Sequence, residues 1–366
     1  MHPDLLYQIA LTLVPNIGDV HAKALVNMYG DAHAVFKAKK KDLENLEGIG
    51  TVRASSIKAF DNFMSSEAEI GFIEKYKITP LFITDKNYPQ RLLNCYDSPA
   101  LLYYRGNADL NHGKIVSIVG TRNNSDYGKL VCEKIIEELC DQNILITSGL
   151  AFGIDTIAHK AALKNNLSTV GVLAHGLDRI YPTQNKSLAK QMTEQGGLLT
   201  EFISNTNPDK QNFPKRNRVV AGMCDAVLVV ETGKKGGSLI TAELGNNYNK
   251  DVFAIPGRIG DVKSEGCNYL IKNNKAALIN GADDLLEMMN WKPAGKTSVK
   301  KQRELFIELT EDERMLVNIL QQQEQVHIDE LYLKSGLSSS AVAAALLMLE
   351  MQAIIQSMPG KLYKLL

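Results

Sequence analysis

Four short segments hold the side chains and glycines best suited to chemistry. In VGTRNNSDYG, Gly120 permits a sharp turn, Arg122 projects from the end of an apolar run, and a helix follows from Gly128. Free N–H groups and a guanidinium converging on a helix start suit an anion. The segment matches neither GxGxxG nor GxxxxGK[ST], so neither a dinucleotide fingerprint nor a P-loop is present. In TSGLAFGIDTIAHKAAL, Ser148, Gly149 and Gly153 bring backbone close to whatever binds. Asp155 and His159 stand four apart on one helical face. They are either an acid–base pair or a helix-start carboxylate beside a hydrogen-bonded core histidine, and the second fits better. Ser148 lies outside any GxSxG elbow, so a hydrolase triad is poorly supported.

In PDKQNFPKRNRVVAG, Lys210, Lys215, Arg216 and Arg218 surround Phe213 against the single acid Asp209. Cations beside an aromatic ring suit a single nucleic-acid strand, because charges hold phosphates while the ring stacks on a base. The same pattern also describes a basic helix start with Phe213 in the core. In ETGKKGGSLITAELG, Gly236 and Gly237 precede Ser238 and a helix, forming a backbone nest for an anion. Gathered on one sheet edge, the four segments make a single phosphate-binding groove.

Such loops need a frame. Apolar runs at 115–119, 144–147, 169–173, 198–201, 226–230, 252–255 and 277–279 alternate with helical periodicity. Most lack polar alternation, as strands buried on both faces do. The expected fold is α/β, a Rossmann-like, doubly wound and mostly parallel sheet. Ligands in such sheets bind beyond the carboxyl ends of the strands.

With 366 residues, the chain has room for two or three domains. We place a helical module at residues 1–80, the Rossmann-like domain with its lead-in segment at 81–290, a linker at 291–304 and a winged-helix domain at 305–366. PNIGDVHAKAL and EGIGTVRASSI each join an Ile-Gly turn to a short helix, which gives the first module a helix-hairpin-helix or SAM-like character. Its glycines either free backbone N–H groups for phosphate or only close turns, and the region has no basic excess. The last domain opens with a Thr-capped acidic helix and closes with a Pro-Gly hairpin. Its second helix carries no Arg, Lys, Asn or Gln from Ser338 to Leu347 to read base edges, which points towards protein contact or a structural role.

The 41 basic and 41 acidic residues balance, which argues against a basic coat but not against a local cleft. Hydrophobic residues make up 45%, enough for a core, with no run long enough to span a membrane. The start lacks a secretory pattern, and five cysteines without a CxxC pair fit reduced thiols, so a cytoplasmic protein without zinc is expected. No metal or cofactor requirement is visible.

The set VGTRNNSDYG, SGLAFGIDTIAHKAAL, VLAHGLDRIYPTQNKSL, FPKRNRVVAG, GGSLITAELG and VFAIPG, preceded by YPQRLLNCYDSPALLYYRGN, closely resembles the DNA processing protein A (DprA, Smf) family over about residues 80–285. The resemblance implies a dimeric, non-enzymatic single-stranded DNA binder that protects incoming DNA during natural transformation and loads the RecA recombinase. It carries the strand contacts onto Arg122, Lys210 and Phe213. By motif position Lys215, Arg216, Asn217 and Arg218 join them, with backbone approach at Gly120, Ser148, Gly149, Gly236, Gly237 and Ser238. Many members have Lys after the Tyr-Pro pair. Here Thr183 follows Pro182, and Lys186, three residues on, is the residue to which the resemblance carries that strand contact.

The alternative is a nucleotide phosphoribohydrolase-like enzyme on a related fold, since GGSLITAE is similar to PGGxGTxxE. Glu243 would then be the catalytic carboxylate and Arg122 a phosphate anchor, although Lys235 stands where that pattern has Pro. A scaffold acting through protein contacts alone is a third reading.

Overall fold

A computed structural model of the chain describes residues 3–292, 309–323, 325–352, 354–358 and 360–365. The expected linker at 291–304 lies outside them from residue 293 onward. The chain forms two compact units, Met1–Lys292 and Pro293–Leu366.

The first unit opens with six helices: α1 (Pro3–Leu13), α2 (Asp19–Tyr29), α3 (Ala32–Lys37), α4 (Lys40–Glu44), α5 (Gly50–Lys58) and α6 (Phe63–Tyr76). Their buried residues, from Ile9 to Ile73, belong to the same core as Leu145, Val170 and Val229 of the sheet. Polar contacts reinforce this packing. Asp19, at the start of α2, accepts a hydrogen bond from the backbone N–H of Ala100 at 3.0 Å. Lys23 donates to the carbonyls of Leu93 and Cys95 and to Ser98 Oγ.

Next come β1 (Thr79–Phe82), α7 (Gln90–Leu93) and β2 (Leu101–Gly106). The sequence suggests only a connector here, apart from a strand at LLYYRG. The structure instead adds two antiparallel strands to the sheet, β1 against β2 and β2 against β6. Pro80 sits in β1, the outermost strand, where a missing N–H costs no ladder bond.

The α/β series runs β3 (Ile115–Gly120), α8 (Asp126–Glu138), β4 (Leu145–Ser148), α9 (Ile154–Lys164), β5 (Thr169–Val172), α10 (Lys186–Glu194), β6 (Gly196–Thr200), α11 (Asn212–Gly222), β7 (Ala226–Glu231), α12 (Gly237–Asn247), β8 (Asp251–Ala254), α13 (Glu265–Lys272), β9 (Ala277–Leu278) and α14 (Ala282–Met288). The strand order is β1-β2-β6-β5-β4-β3-β7-β8-β9, parallel from β6 to β9. The chain winds from β3 out to β6, then returns to lay β7 on the other side of β3. That reversal opens a crevice at the carboxyl ends of β3 and β7, with α11 leading across it. β4, β5 and β7 are buried at every position, which explains their unbroken apolar sequence.

The second unit holds α15 (Glu311–Leu320), β10 (Val326–His327), α16 (Ile328–Ser335), α17 (Ser339–Met351), β11 (Ile355–Met358) and β12 (Leu362–Leu365). Thr310 and Glu313 form a capping box on α15, and Ser338 caps α17. The strands pair as β10-β12-β11. The outward positions of α17 include Ala343, Ala344, Leu347, Met348 and Met351, an apolar face without base-reading side chains.

All five cysteines are free, and only Cys140 is exposed. Burial pushes the Cys224 thiol up to about 11 and that of Cys267 up to about 12.

The tie between helices and sheet is concentrated at Arg218. Its Nη2 donates to Asp19 Oδ2 at 2.9 Å and to a Glu201 carboxylate oxygen. The other Glu201 oxygen is buried without a partner, and burial pushes this carboxyl up against the pull of Arg218. Replacing Arg218 by Ala strands a buried carboxylate, which costs about 3 kcal/mol or more. We expect urea unfolding at pH 7 to show that loss. It should shrink towards pH 5, as the orphaned Glu201 takes up a proton in the folded state before it does so in the unfolded chain.

Candidate nucleic-acid interface

A groove of about 780 Å³ lies at the crevice between β3 and β7. Three helix starts and the end of β3 supply it, so its lining comes from distant parts of the sequence. Gly120 and Arg122 follow β3, Gly149 follows β4, Lys210 and Phe213 lead into α11, and Gly236, Gly237 and Ser238 open α12. On α11 the lining residues Phe213, Arg216, Asn217 and Val220 are spaced three, four and seven apart, one face of a helix.

At the lip, the Arg122 guanidinium lies 5.0 Å from the centroid of the Phe213 ring. Tyr181 meets the same ring edge-on, with centroids 6.3 Å apart. A cation on one ring and two aromatic surfaces on a rim can hold a phosphate and stack on a base together. Arg122 is exposed, as is Lys210, and neither has an ion-pair partner among the described residues.

The floor is different. Arg216 is only 6% exposed. Its Nη1 donates to the Val172 carbonyl at 2.6 Å, and its Nε donates to Asn217 Oδ1 at 3.2 Å. A Cβ at Gly149 would collide with the Arg216 guanidinium and the Asp155 carboxylate, so any other residue there would force these two buried side chains to shift. Burial pushes Asp155 up, with the Arg216 charge opposing. No ion pair within 4.0 Å joins the two; burial pushes the Arg216 guanidinium down with the Asp155 charge opposing, and both groups line the groove floor. Gly237 is the contrasting case: a Cβ there would meet nothing within 4 Å. Packing does not require that glycine, whereas close approach of a bound molecule would. The N–H groups of Gly237 and Ser238, the first two of α12, have no intrahelical acceptor and no side-chain cap, whereas the Leu239 N–H donates to the Gly236 carbonyl at 3.1 Å.

Ten of the fourteen residues singled out from the sequence therefore share this groove: Gly120, Arg122, Gly149, Lys210, Phe213, Arg216, Asn217, Gly236, Gly237 and Ser238. Ser238 contributes mainly by holding the turn, donating to Thr232 Oγ1 at 2.7 Å. The other four lie elsewhere. Ser148 is fully buried and donates its hydroxyl to the Ile118 carbonyl. Arg218 points from the opposite side of α11 into its ion pairs with Asp19 and Glu201. Lys215 is exposed outside the groove lining. Lys186 lines a separate cavity with Lys190 and Arg105. Sequence reasoning also missed Tyr181 and Thr241 as lining residues. The Tyr-Pro pair was visible, but nothing in the sequence alone turned its ring towards Phe213.

His159 is a core histidine. Its Nε2–H donates to the Gly149 carbonyl at 2.5 Å, and its Nδ1 lies 2.7 Å from Thr169 Oγ1. Glu243, the carboxylate required by a phosphoribohydrolase reading, is 54% exposed on α12. It pairs with Lys275 at 3.1 Å and does not line the groove. Among the described residues, no three His, Cys, Asp or Glu side chains are grouped to hold a metal. No single described helix is long and apolar enough to cross a membrane.

Residues 79–290 match the family model for DNA recombination-mediator protein A. The chain belongs to that family. Residues 304–361 match the model of the DprA winged helix domain. Protein Smf of Synechocystis sp. is 33% identical, with 98% of each chain aligned. DNA processing protein DprA of Streptococcus pneumoniae is 36% identical over 70% of this chain and 97% of its own. An X-ray structure of the S. pneumoniae protein superposes with a TM-score of 0.65 at 34% identity, covering 77% of this chain and 97% of that one. The DNA processing protein A of Helicobacter pylori, solved to describe its single-stranded DNA binding mode, gives 0.54 at 30% identity, over 59% and 96%.

Two outcomes test this architecture. Burial holds His159 down to about 4, against 6.5 for a free imidazole. Between those values the unfolded chain binds more protons than the folded one, so stability is lost as pH falls. The slope from this residue is at most about 1.4 kcal/mol per pH unit. Comparing stability–pH profiles of the wild type and His159→Gln should show the variant lacking that component; parallel profiles would remove it. Gly149→Ala should destabilise the fold, because the added methyl collides with buried charged groups, while Gly237→Ala should leave thermal stability nearly unchanged. Thermal melts of the two variants check both.

Proposed function

We propose that this chain is a sequence-independent single-stranded DNA-binding protein. It protects incoming single strands and loads the RecA recombinase onto them during natural transformation, acting in the cytoplasm as a homodimer and without catalysis. The observation that carries this reading is the cluster of Arg122, Phe213 and Tyr181 on the rim of a groove with Arg216 in its floor. The H. pylori relative, solved for its single-stranded DNA binding mode, supports the same assignment.

In this reading Arg122 and Lys210 contact phosphates, and Arg216 adds potential from below. Phe213 and Tyr181 stack on bases. The N–H groups of Gly237 and Ser238 face the backbone, where the missing Cβ of Gly237 leaves room. Asn217 orders this edge, its Nδ2 lying 3.5 Å from the Gly237 carbonyl. In this reading cations, aromatic rings and backbone N–H groups make the contacts, so the affinity is carried by charge and stacking and is indifferent to sequence.

Fluorescence anisotropy of labelled oligo-dT at several salt concentrations tests this. Each lost phosphate contact lowers the magnitude of the log–log salt slope by about 0.7 for a single strand. Arg122→Ala and Lys210→Ala should each show that change and weaken all sequences alike. Phe213→Ala should lose about 1–3 kcal/mol of affinity with the salt slope retained. Absence of single-strand binding at low salt would defeat the proposal.

A further inference from the structure

Lys186 does not reach the groove, and the place where it lies is itself unusual. A second cavity, of about 460 Å³, is bounded by Arg105, Arg179, Lys186 and Lys190 with Asp178 as its single acid. Four cations against one carboxylate crowd into one hollow of a chain whose total charge is +0. Arg179 is bound to Asp178 at 2.8 Å, so those two offset each other. Arg105, Lys186 and Lys190 have no ion-pair partner among the described residues.

The fold builds this hollow from rigid parts. Arg105 extends from β2 directly opposite Leu198 of β6, and Leu198 forms part of the wall. Lys186 and Lys190 are one turn apart on α10 and share a face. Holding like charges together costs free energy unless a counter-charge arrives. Tyr76, 40% exposed, adds an aromatic surface beside them.

The hollow adjoins the groove through a single loop. Tyr181 faces the groove, while Ile180 and Thr183 on either side of the Tyr-Pro pair line the hollow. A strand stacked on Tyr181 therefore needs only to pass over that loop to meet Lys186.

We propose that the Arg105–Lys186–Lys190 hollow is a second phosphate-binding site, which takes the continuation of the same single strand as it leaves the groove. The inference rests on the single-strand reading of the groove and lengthens its footprint. It also gives Lys186 a phosphate contact on the far side of the loop.

The test compares the wild type, the double variant Arg105→Gln/Lys190→Gln and Arg122→Ala. Each is titrated with oligo-dT of about 6 and about 20 nucleotides, one near the low end of usual single-strand site sizes of about 4–16 nucleotides and one beyond their upper end. For the long oligonucleotide, losing two phosphate contacts should lower the salt slope of the double variant by about 1.4. The loss of affinity between about 50 and about 200 mM salt should then be smaller by about sevenfold. For the short one, which the groove accommodates alone, the double variant should match the wild type. An unchanged slope with the long strand overturns the second site. An equal loss at both lengths also overturns it, because that is a general field effect and not a longer footprint. The Arg122→Ala arm separates the two claims. If it binds both lengths like the wild type, the groove reading itself fails; if it is weakened at both while the double variant is unaffected, only the extension fails.

Discussion

The groove is organised around one buried guanidinium. Arg216 lies under the crevice almost without solvent, and a charge there is tolerable only if its N–H groups are satisfied and its surroundings are fixed. The Val172 carbonyl at the end of β5 and Asn217 on the same helix supply the acceptors. Gly149 supplies the space, since any side chain there would occupy the position of the guanidinium. The ends of β4 and β5 and the start of α11 are thus mutually constrained. Arg122, Phe213 and Tyr181 stand on the rim above this floor.

The helical twist of α11 divides one basic run into separate tasks. Arg216 and Arg218 are two residues apart, so they leave the helix about 200° apart. One enters the groove floor; the other reaches the N-terminal helices through Asp19 and Glu201. Lys215 falls between them and remains in solvent. The chain's charge balance is therefore compatible with strongly positive local surfaces. What matters to a polyanion is the field in the crevice, and low-dielectric walls sharpen it.

Much of this was legible in the sequence for physical reasons. Strands buried on both faces must be apolar throughout, so 226–230 and 169–173 stood out, and with them the α/β class. Glycines at the ends of β3 and β4 and at the start of α12 marked close backbone approach. The illegible parts were those that depend on direction or on pairing. Composition treats Ser148, Lys215 and Arg218 as equivalents of their neighbours, and only helix phase and strand position separate them. Tyr181 needed a partner 32 residues away to acquire a role. β1 escaped notice because an edge strand with a proline has neither alternation nor a long apolar run.

The distribution of thiols has a practical consequence. Cys95, Cys132, Cys224 and Cys267 are buried, and burial disfavours the thiolate that reacts with oxidants and alkylating agents. Cys140 alone meets solvent, in the short helical turn Cys140–Gln142 that precedes the amino end of β4; partial burial and the Asp141 carboxylate push its thiol up as well, so exposure is what distinguishes it. The groove opens at the carboxyl ends of the strands, on the other edge of the sheet. A maleimide dye or a surface linker would therefore attach at one natural position on the opposite edge. The native sequence thus offers a ready anchoring point for single-molecule work, with the groove left outward.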